Sequence, residues 1–257
     1  MINQLFSELS ALPQIEAIAL GGSRAGEHFD EKSDYDIYLY CTDPIPEDVR
    51  RDILGKYCSY MEIGNHFWEY EDNCTLKNGI DMDVLYRNLE DFTADVASVV
   101  EQFQARNGYT TCMWHNLLTC RIVYDETGRL AAAKERFCIP YPDELATNII
   151  DRNRKLLSGT MPAYDGQILK AARRNDTVSI NHRVSAFLES YFDLLYALNR
   201  KTHPGEKRLL SLCREQCPIL PGRFEENLSD LFCHMFTQPE LLEKDLGNII
   251  KELGKIL

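Results

Sequence analysis

The apolar positions change period near the middle of the chain, and that change frames everything else. Ile2, Leu5, Phe6, Leu9 and Leu12 recur at helical spacing until Pro13 stops the run. Residues 15–20 (IEAIAL) form a short apolar strand that runs into Gly21-Gly22. Across 34–40 the pattern alternates, which puts Asp34, Asp36 and Tyr38 on one face and Tyr35, Ile37 and Leu39 on the other. Val49, Ile53, Leu54 and Tyr57 predict a helix over 47–60. Two extended stretches, 66–76 and 80–86, flank Lys77-Asn78-Gly79, whose Asn-Gly pair predicts a hairpin with a type I′ turn. In the second arm Ile80, Met82, Val84 and Tyr86 share one face, leaving Asp81 and Asp83 on the other.

From residue 89 onward the helix period dominates. The pattern predicts a helix over 89–106, leaves 114–124 open between helix and strand, and places a turn at Asp125-Glu126-Thr127-Gly128. Pro140-Tyr141-Pro142 followed by Asp143-Glu144 marks a break and a helix start. Helices are expected over 143–157, 167–174, 179–200, 205–215, 223–236 and 240–256, separated by glycine, proline and Asn-Asp breaks. The expected architecture is α+β: a small mixed β-sheet flanked by helices, then an all-α bundle. The expected divisions are a catalytic domain over 1–106, a connecting segment over 107–142 and a helical substrate-binding domain over 143–257.

Composition narrows the class. At 257 residues, 44% hydrophobic and 26% charged, the chain can bury one large core or two modest ones. It has no apolar run near the roughly 20 residues of a membrane span, and its first residues lack the basic start and small-residue cleavage site of a signal peptide. These features predict a cytoplasmic protein without a membrane partner. The nine cysteines are scattered, with no CxxC pair or zinc-like spacing, and read as small packing residues in a reducing compartment; Cys213 and Cys217, four apart on an expected helix, read the same way. A net charge of −12 weighs against a broad nucleic-acid surface but leaves room for a local basic pocket.

The chemistry concentrates between Gly21 and Asp36. Gly21 and Gly22 permit positive φ and close approach, and Ser23 and Arg24 open the next turn, so backbone N–H groups and a hydroxyl are offered to phosphate. Eleven residues past Ser23, Asp34 and Asp36 stand at i and i+2 on a strand, an arrangement that ligates hard cations such as Mg²⁺. A third carboxylate from the neighbouring strand, Asp81 or Asp83, completes the donors for two metals roughly 3.5–4 Å apart. Such a set suits attack of an acceptor hydroxyl on the α-phosphate of an NTP with loss of pyrophosphate. Singly, a Gly-Gly-Ser turn or an Asp-x-Asp is a common surface feature; their order, spacing and shared face carry the reading.

Gly21-Gly22-Ser23, then Asp34-Tyr35-Asp36, then an acid on a later strand resembles the signature of the DNA polymerase β-type nucleotidyltransferases, which include minimal nucleotidyltransferases and aminoglycoside and lincosamide adenylyltransferases. The resemblance implies an enzyme that moves an NMP, AMP first among them, from ATP or another NTP to a hydroxyl of a small acceptor. It implies two Mg²⁺ ions on Asp34, Asp36 and Asp83, because Asp83-Val84-Leu85-Tyr86-Arg87 resembles the family's third strand more closely than the residues at Asp81 do. Gly22, Ser23 and Arg24 would face the nucleotide phosphates. The second half resembles, less specifically, the helical domain beside such modules, through Arg174-Asn175-Asp176, Ala197-Leu198-Asn199-Arg200 and Lys207. Arg173, Arg174, Arg200 and Lys207 would add positive charge for a triphosphate, although each alone reads equally as a solvated helix face. Asp83, Asp176 and Glu189 are the candidates for the general base. Transfer to RNA or to a protein side chain, and a nucleotide-binding module without turnover, are the rival readings. His28, His66, His115 and His182, like Trp68 and tyrosines 35, 38, 40 and 86, read more simply as surface or core residues.

Overall fold

In a computed structural model, residues 1–26, 33–67 and 69–257 are described, and the chain divides into two compact units. The first comprises Met1–Ala97 and Asn116–Ile139, the second Ser98–His115 and Pro140–Leu257. The expected connecting segment is thus shared, with 107–115 in the second unit and 116–139 in the first. The architecture is α+β, with a mixed sheet in the first unit and helices in the second.

Among the described residues, the first unit is built on six strands: β1 (Ile15–Leu20), β2 (Tyr35–Cys41), β3 (Cys58–Asn65), β4 (Glu71–Leu76), β5 (Asp81–Arg87) and β6 (Arg121–Asp125). They lie in the order β3-β4-β5-β2-β1-β6. Only β2 and β5 run parallel; the other neighbours are antiparallel. Helices α1 (Ile2–Ser10) and α2 (Glu47–Leu54) bury Leu5, Phe6, Leu9, Ile53 and Leu54 in one core with Ile18, Ile37, Met82 and Val84 of the strands. The alternation read in β2 and β5 therefore has the expected outcome: Ile37, Met82 and Val84 go inward, and Asp36 and Asp83 take the other face.

Several expected elements differ. The helix expected over 47–60 stops at Leu54, where Gly55 caps it, and Cys58–Asn65 becomes the edge strand β3. Its Cys58 is buried in the core and Met61 and Ile63 pack against it, so tertiary packing takes residues 58–60 from the helix that spacing had claimed. The hairpin at 77–79 has no type I′ turn. Gly79 takes φ +84° but Asn78 does not adopt positive φ. Leu76 and Ile80 close a three-residue loop through Leu76 N to Ile80 O and Gly79 N to Leu76 O, both at 2.8 Å, the form in which a glycine follows a type I turn. Helix α3 (Leu89–Val100) ends six residues before 106, just ahead of Phe103 at φ +56°. The ambiguous 114–124 stretch is both things: α4 (Cys112–Thr119) and then β6, followed by α5 (Arg129–Arg136).

In the second unit α6 (Asp143–Leu157), α7 (Tyr164–Arg173), α8 (Thr177–Leu198), α9 (Leu209–Gln216), α10 (Phe224–Thr237) and α11 (Leu242–Leu253) pack into one core. Helix α8 is its axis. Every residue from Ser190 to Ala197 is buried, as expected of a helix enclosed on all sides.

Candidate active site

Strand β1 delivers the chain to the glycine turn, and β2 receives it back. Gly21 N donates to the Asp36 carbonyl at 2.8 Å, tying the turn to β2 at the level of the second acid. Both glycines are forced by close approach to protein atoms. A Cβ on Gly21 would lie 2.3 Å from the Tyr38 ring and hydroxyl, and one on Gly22 would lie 1.9 Å from Asp36 Oδ2. Gly22 also adopts φ +54°, ψ −151°, a conformation open essentially to glycine alone. The Asp36 carboxylate thus rests against the turn that was expected to face phosphate.

Ser23, exposed, opens a short 3-10 turn over Ser23–Ala25. Arg24 has a different place from the one expected of a phosphate ligand. It is buried, its Nε donates to the carbonyls of Ser33 (2.6 Å) and Asp34 (3.1 Å), and its guanidinium lies 3.9 Å from the centre of the Tyr35 ring. With these bonds Arg24 fixes the approach to β2, and so the backbone of Asp34. Residues 27–32, including His28, and Trp68 lie outside the described residues.

The register of the sheet brings the acids into a row. Asp36 pairs with Asp83 across the parallel β2–β5 ladder, Asp83 with Asn73 across β5–β4, and Asn73 with Glu62 across β4–β3. Neighbouring strands lie about 4.8 Å apart, so residues opposed in this way on one face have side chains within reach of each other. Asp34 precedes β2 by one residue. Asp81 is exposed and accepts a 2.9 Å hydrogen bond from the Thr75 hydroxyl, whereas Asp83 is half-buried and accepts from Asn73 Nδ2 at 2.8 Å.

Other partners on this face gave little warning in the sequence. Arg87, at i+4 from Asp83 on β5, is buried; its Nε and Nη2 donate to Glu69 at 2.7 and 2.6 Å, and its Nη1 to Asn116 Oδ1 at 2.9 Å. Asn116 Nδ2 in turn donates to the Tyr38 hydroxyl at 2.7 Å, and the Arg87 guanidinium lies 4.1 Å from the Tyr38 ring centre. Burial raises the Tyr38 phenol above its usual range. Glu71, beside them on β4, is raised by burial and further by the charge of Asp83. An arginine closing a strand and two glutamates on either side of Tyr70 are the traces of this network in the sequence.

Carboxylate oxygens suit a hard divalent cation, and Asp36 and Asp83 stand opposed on one face with Asp34 beside them. By donor type the residues suit such an ion. Among the described residues, no three His, Cys, Asp or Glu side chains already converge on one point closely enough to hold it.

The remaining candidates lie in the second unit. Arg173 and Arg174 are exposed at the end of α7, and Arg174 lies 3.8 Å from Asp176. Arg200 takes φ +54° and donates to Asp143 at 2.9 Å, while Lys207 is exposed. Asp176 is the N-cap of α8: it accepts from Ser179 N at 3.0 Å and Ser179 Oγ at 2.7 Å, and these bonds lower its pKa. That depression makes Asp176 a poor proton acceptor and gives it a structural job instead. Glu189 is half-buried against Gly108, and burial raises its carboxyl. His115 bonds Thr202 Oγ1 at 2.8 Å, His66 stacks on Tyr70, and His182 is exposed. Cys213 and Cys217 are buried in the helical core.

A model described as a domain of unknown function (DUF4037) matches residues 109–209. No curated protein matches the chain by sequence. Among solved structures, the chain is similar to a nucleotidyltransferase-like protein from Exiguobacterium sibiricum, with 12% identity, a TM-score of 0.43, and coverage of 99% of this chain and 72% of that one. It is also similar to an aminoglycoside 6-adenyltransferase from Bacillus subtilis, with 13% identity, a TM-score of 0.27, and coverage of 98% and 90%. A spectinomycin adenyltransferase from Enterococcus, solved with ATP and spectinomycin, aligns at 11% identity and a TM-score of 0.32 over 95% of this chain and 99% of that one. All three superpositions are loose.

Proposed function

We propose that the chain is a Mg²⁺-dependent nucleotidyltransferase that moves an NMP, AMP in the first instance, from an NTP to a hydroxyl of a small acceptor and releases pyrophosphate. One observation carries this reading: the parallel β2–β5 register opposes Asp36 and Asp83 on one face, two residues after Asp34, with the Gly21-Gly22-Ser23 turn tied to Asp36. Asp34, Asp36 and Asp83 would hold the ion, and binding would draw the three carboxylates together. When bound, the metal supplies positive charge to the triphosphate as the leaving group develops.

The rest falls to the chain's own groups. Ser23 and the backbone N–H groups of its turn would hold the outer phosphates, so that the acceptor oxygen forms its bond to the α-phosphorus as the bond to the bridging oxygen breaks. Within the first unit, the acceptor proton would go to Asp83. The second unit would bind the acceptor. We keep 1–106, 107–142 and 143–257 as the functional division, and the cytoplasm as the compartment, which suits nine cysteines that are all free.

Incubation with α-labelled ATP, GTP, CTP and UTP, Mg²⁺, cell extract and a panel of aminoglycosides and lincosamides tests the proposal. The wild-type chain is expected to label one small acceptor. Asp36→Asn is expected to lower transfer roughly a hundredfold to a thousandfold while the thermal unfolding profile stays intact. Unchanged turnover in that variant would remove the assignment. Label carried to RNA or protein would move the acceptor class, and tight nucleotide binding without pyrophosphate release would favour a regulatory module.

A further inference from the structure

Asn73 stands in the row of acids at the position where a carboxylate would be least welcome. Its backbone pairs with Asp83 on one side and with Glu62 on the other, and Glu71 lies two residues before it on the same strand face. An amide at this point is the neutral group that can donate to an acid without adding charge. Its Nδ2 donates to Asp83 Oδ1 at 2.8 Å. Its Oδ1 accepts from Asn65 Nδ2 at 2.7 Å, which settles which end of the amide faces the acid. Asn65 also donates to Glu62 Oε2 at 3.1 Å, and Glu62 Oε1 accepts from the Tyr60 hydroxyl at 2.6 Å. A chain of hydrogen bonds thus runs across the sheet from its edge strand to the third acid.

We infer that Asn73, its amide oriented by Asn65, is a positioning residue that sets the Asp83 carboxylate for cation binding. The inference rests on the nucleotidyltransferase reading and adds to it a residue pair that neither touches substrate nor ligates metal. A carboxylate held at one oxygen has its plane and rotamer fixed, so less ordering remains when a cation arrives. Partners of this kind behind a metal ligand typically alter affinity by about 10–100-fold. Because Asn65 reaches Asp83 only through Asn73, the two must act as one unit.

Mn²⁺ binding to the full chain, followed by electron paramagnetic resonance without nucleotide, measures this apart from activity. Asn73→Ala is expected to weaken Mn²⁺ binding about tenfold. Asn65→Ala, on the edge strand and tolerant of truncation, is expected to weaken it less, and the double variant no more than Asn73→Ala alone. The half-saturating Mg²⁺ concentration for pyrophosphate release is expected to rise in parallel, with KM for the acceptor unchanged. Asp83→Asn serves as the reference. If Asp83→Asn weakens binding but Asn73→Ala and Asn65→Ala both match wild type, the positioning role is overturned and the nucleotidyltransferase reading stands. If the effects of Asn65→Ala and Asn73→Ala simply add, the relay is overturned. If wild type binds no Mn²⁺, or Asp83→Asn binds as wild type does, the metal-site reading falls and this inference with it.

Discussion

Gly22 is held between two requirements, a backbone conformation that side chains resist and a carboxylate in contact with its α-carbon. Gly22→Ala is therefore expected to cost about 1–3 kcal/mol in backbone strain alone. It must also displace Asp36, so transfer is expected to fall far more than stability does; parallel assays of unfolding and label transfer would check this. The glycine pair was legible in the sequence because two glycines where a strand meets a helical turn permit positive φ and close approach. What they accommodate was not, since the contacts to Asp36 and Tyr38 depend on the β1–β2 register. Arg24 shows the same limit. An arginine after Gly-Gly-Ser looks alike whether it faces a phosphate or turns inward to the Ser33 and Asp34 carbonyls, and only burial separates the two.

At the scale of elements, β4 is secured to α2 by charge as well as by packing. Arg50 Nη1 donates to Asp72 Oδ1 at 2.5 Å, and both side chains are almost fully buried. Tyr86 and the backbone N of Gly64 also donate to Asp72, at 2.7 and 2.9 Å, and Arg50 Nη2 donates to the Tyr70 hydroxyl. Arg50→Met leaves Asp72 buried without its cation, and is expected to destabilise the first unit by about 3–5 kcal/mol in urea unfolding. Adding Asp72→Asn is expected to restore part of that loss. Period-2 alternation made the faces of β2 and β5 readable, and with them the two acid pairs. It did not reveal β3, whose polar edge positions resemble the exposed side of a helix, nor Asn73, whose meaning comes from pairing with Asp83.

At the scale of the whole molecule, the second unit contains two buried titratable groups of opposite sign. Asp193 accepts from Thr110 N, Thr110 Oγ1 and Asn153 Nδ2 at 2.9, 2.7 and 2.9 Å, and burial raises it from 3.8 to about 6. The folded chain therefore holds this proton more tightly than the unfolded chain. Its stabilisation is complete below about pH 3.8 and is lost as pH rises through about 6. His203, bonded through its backbone N to Thr111 Oγ1, is lowered by burial from 6.5 to about 3. Its stabilisation is complete above 6.5 and is lost as pH falls toward 3. From about pH 4 to 6 the two trends oppose each other. Asp193→Asn is expected to raise stability at pH 7 to 8, by up to about 3 kcal/mol for a shift of two units, and to leave the fold more acid-sensitive. His203→Gln is expected to do the reverse in the acid range, both read from thermal unfolding against pH. Helical spacing made the bundle legible, but a lone Asp in α8 and a His before Pro-Gly carry no mark of burial.

The central claim is that the row of acids directs transfer of the α-phosphoryl group with its nucleoside. Parallel reactions with α-labelled and γ-labelled ATP, using the wild-type chain and Asp36→Asn, test it most directly. The expected result is α-label on the acceptor and γ-label in pyrophosphate for the wild type, and neither for the variant. Transfer of γ-label to the acceptor, or equal transfer of α-label by the variant, would contradict it.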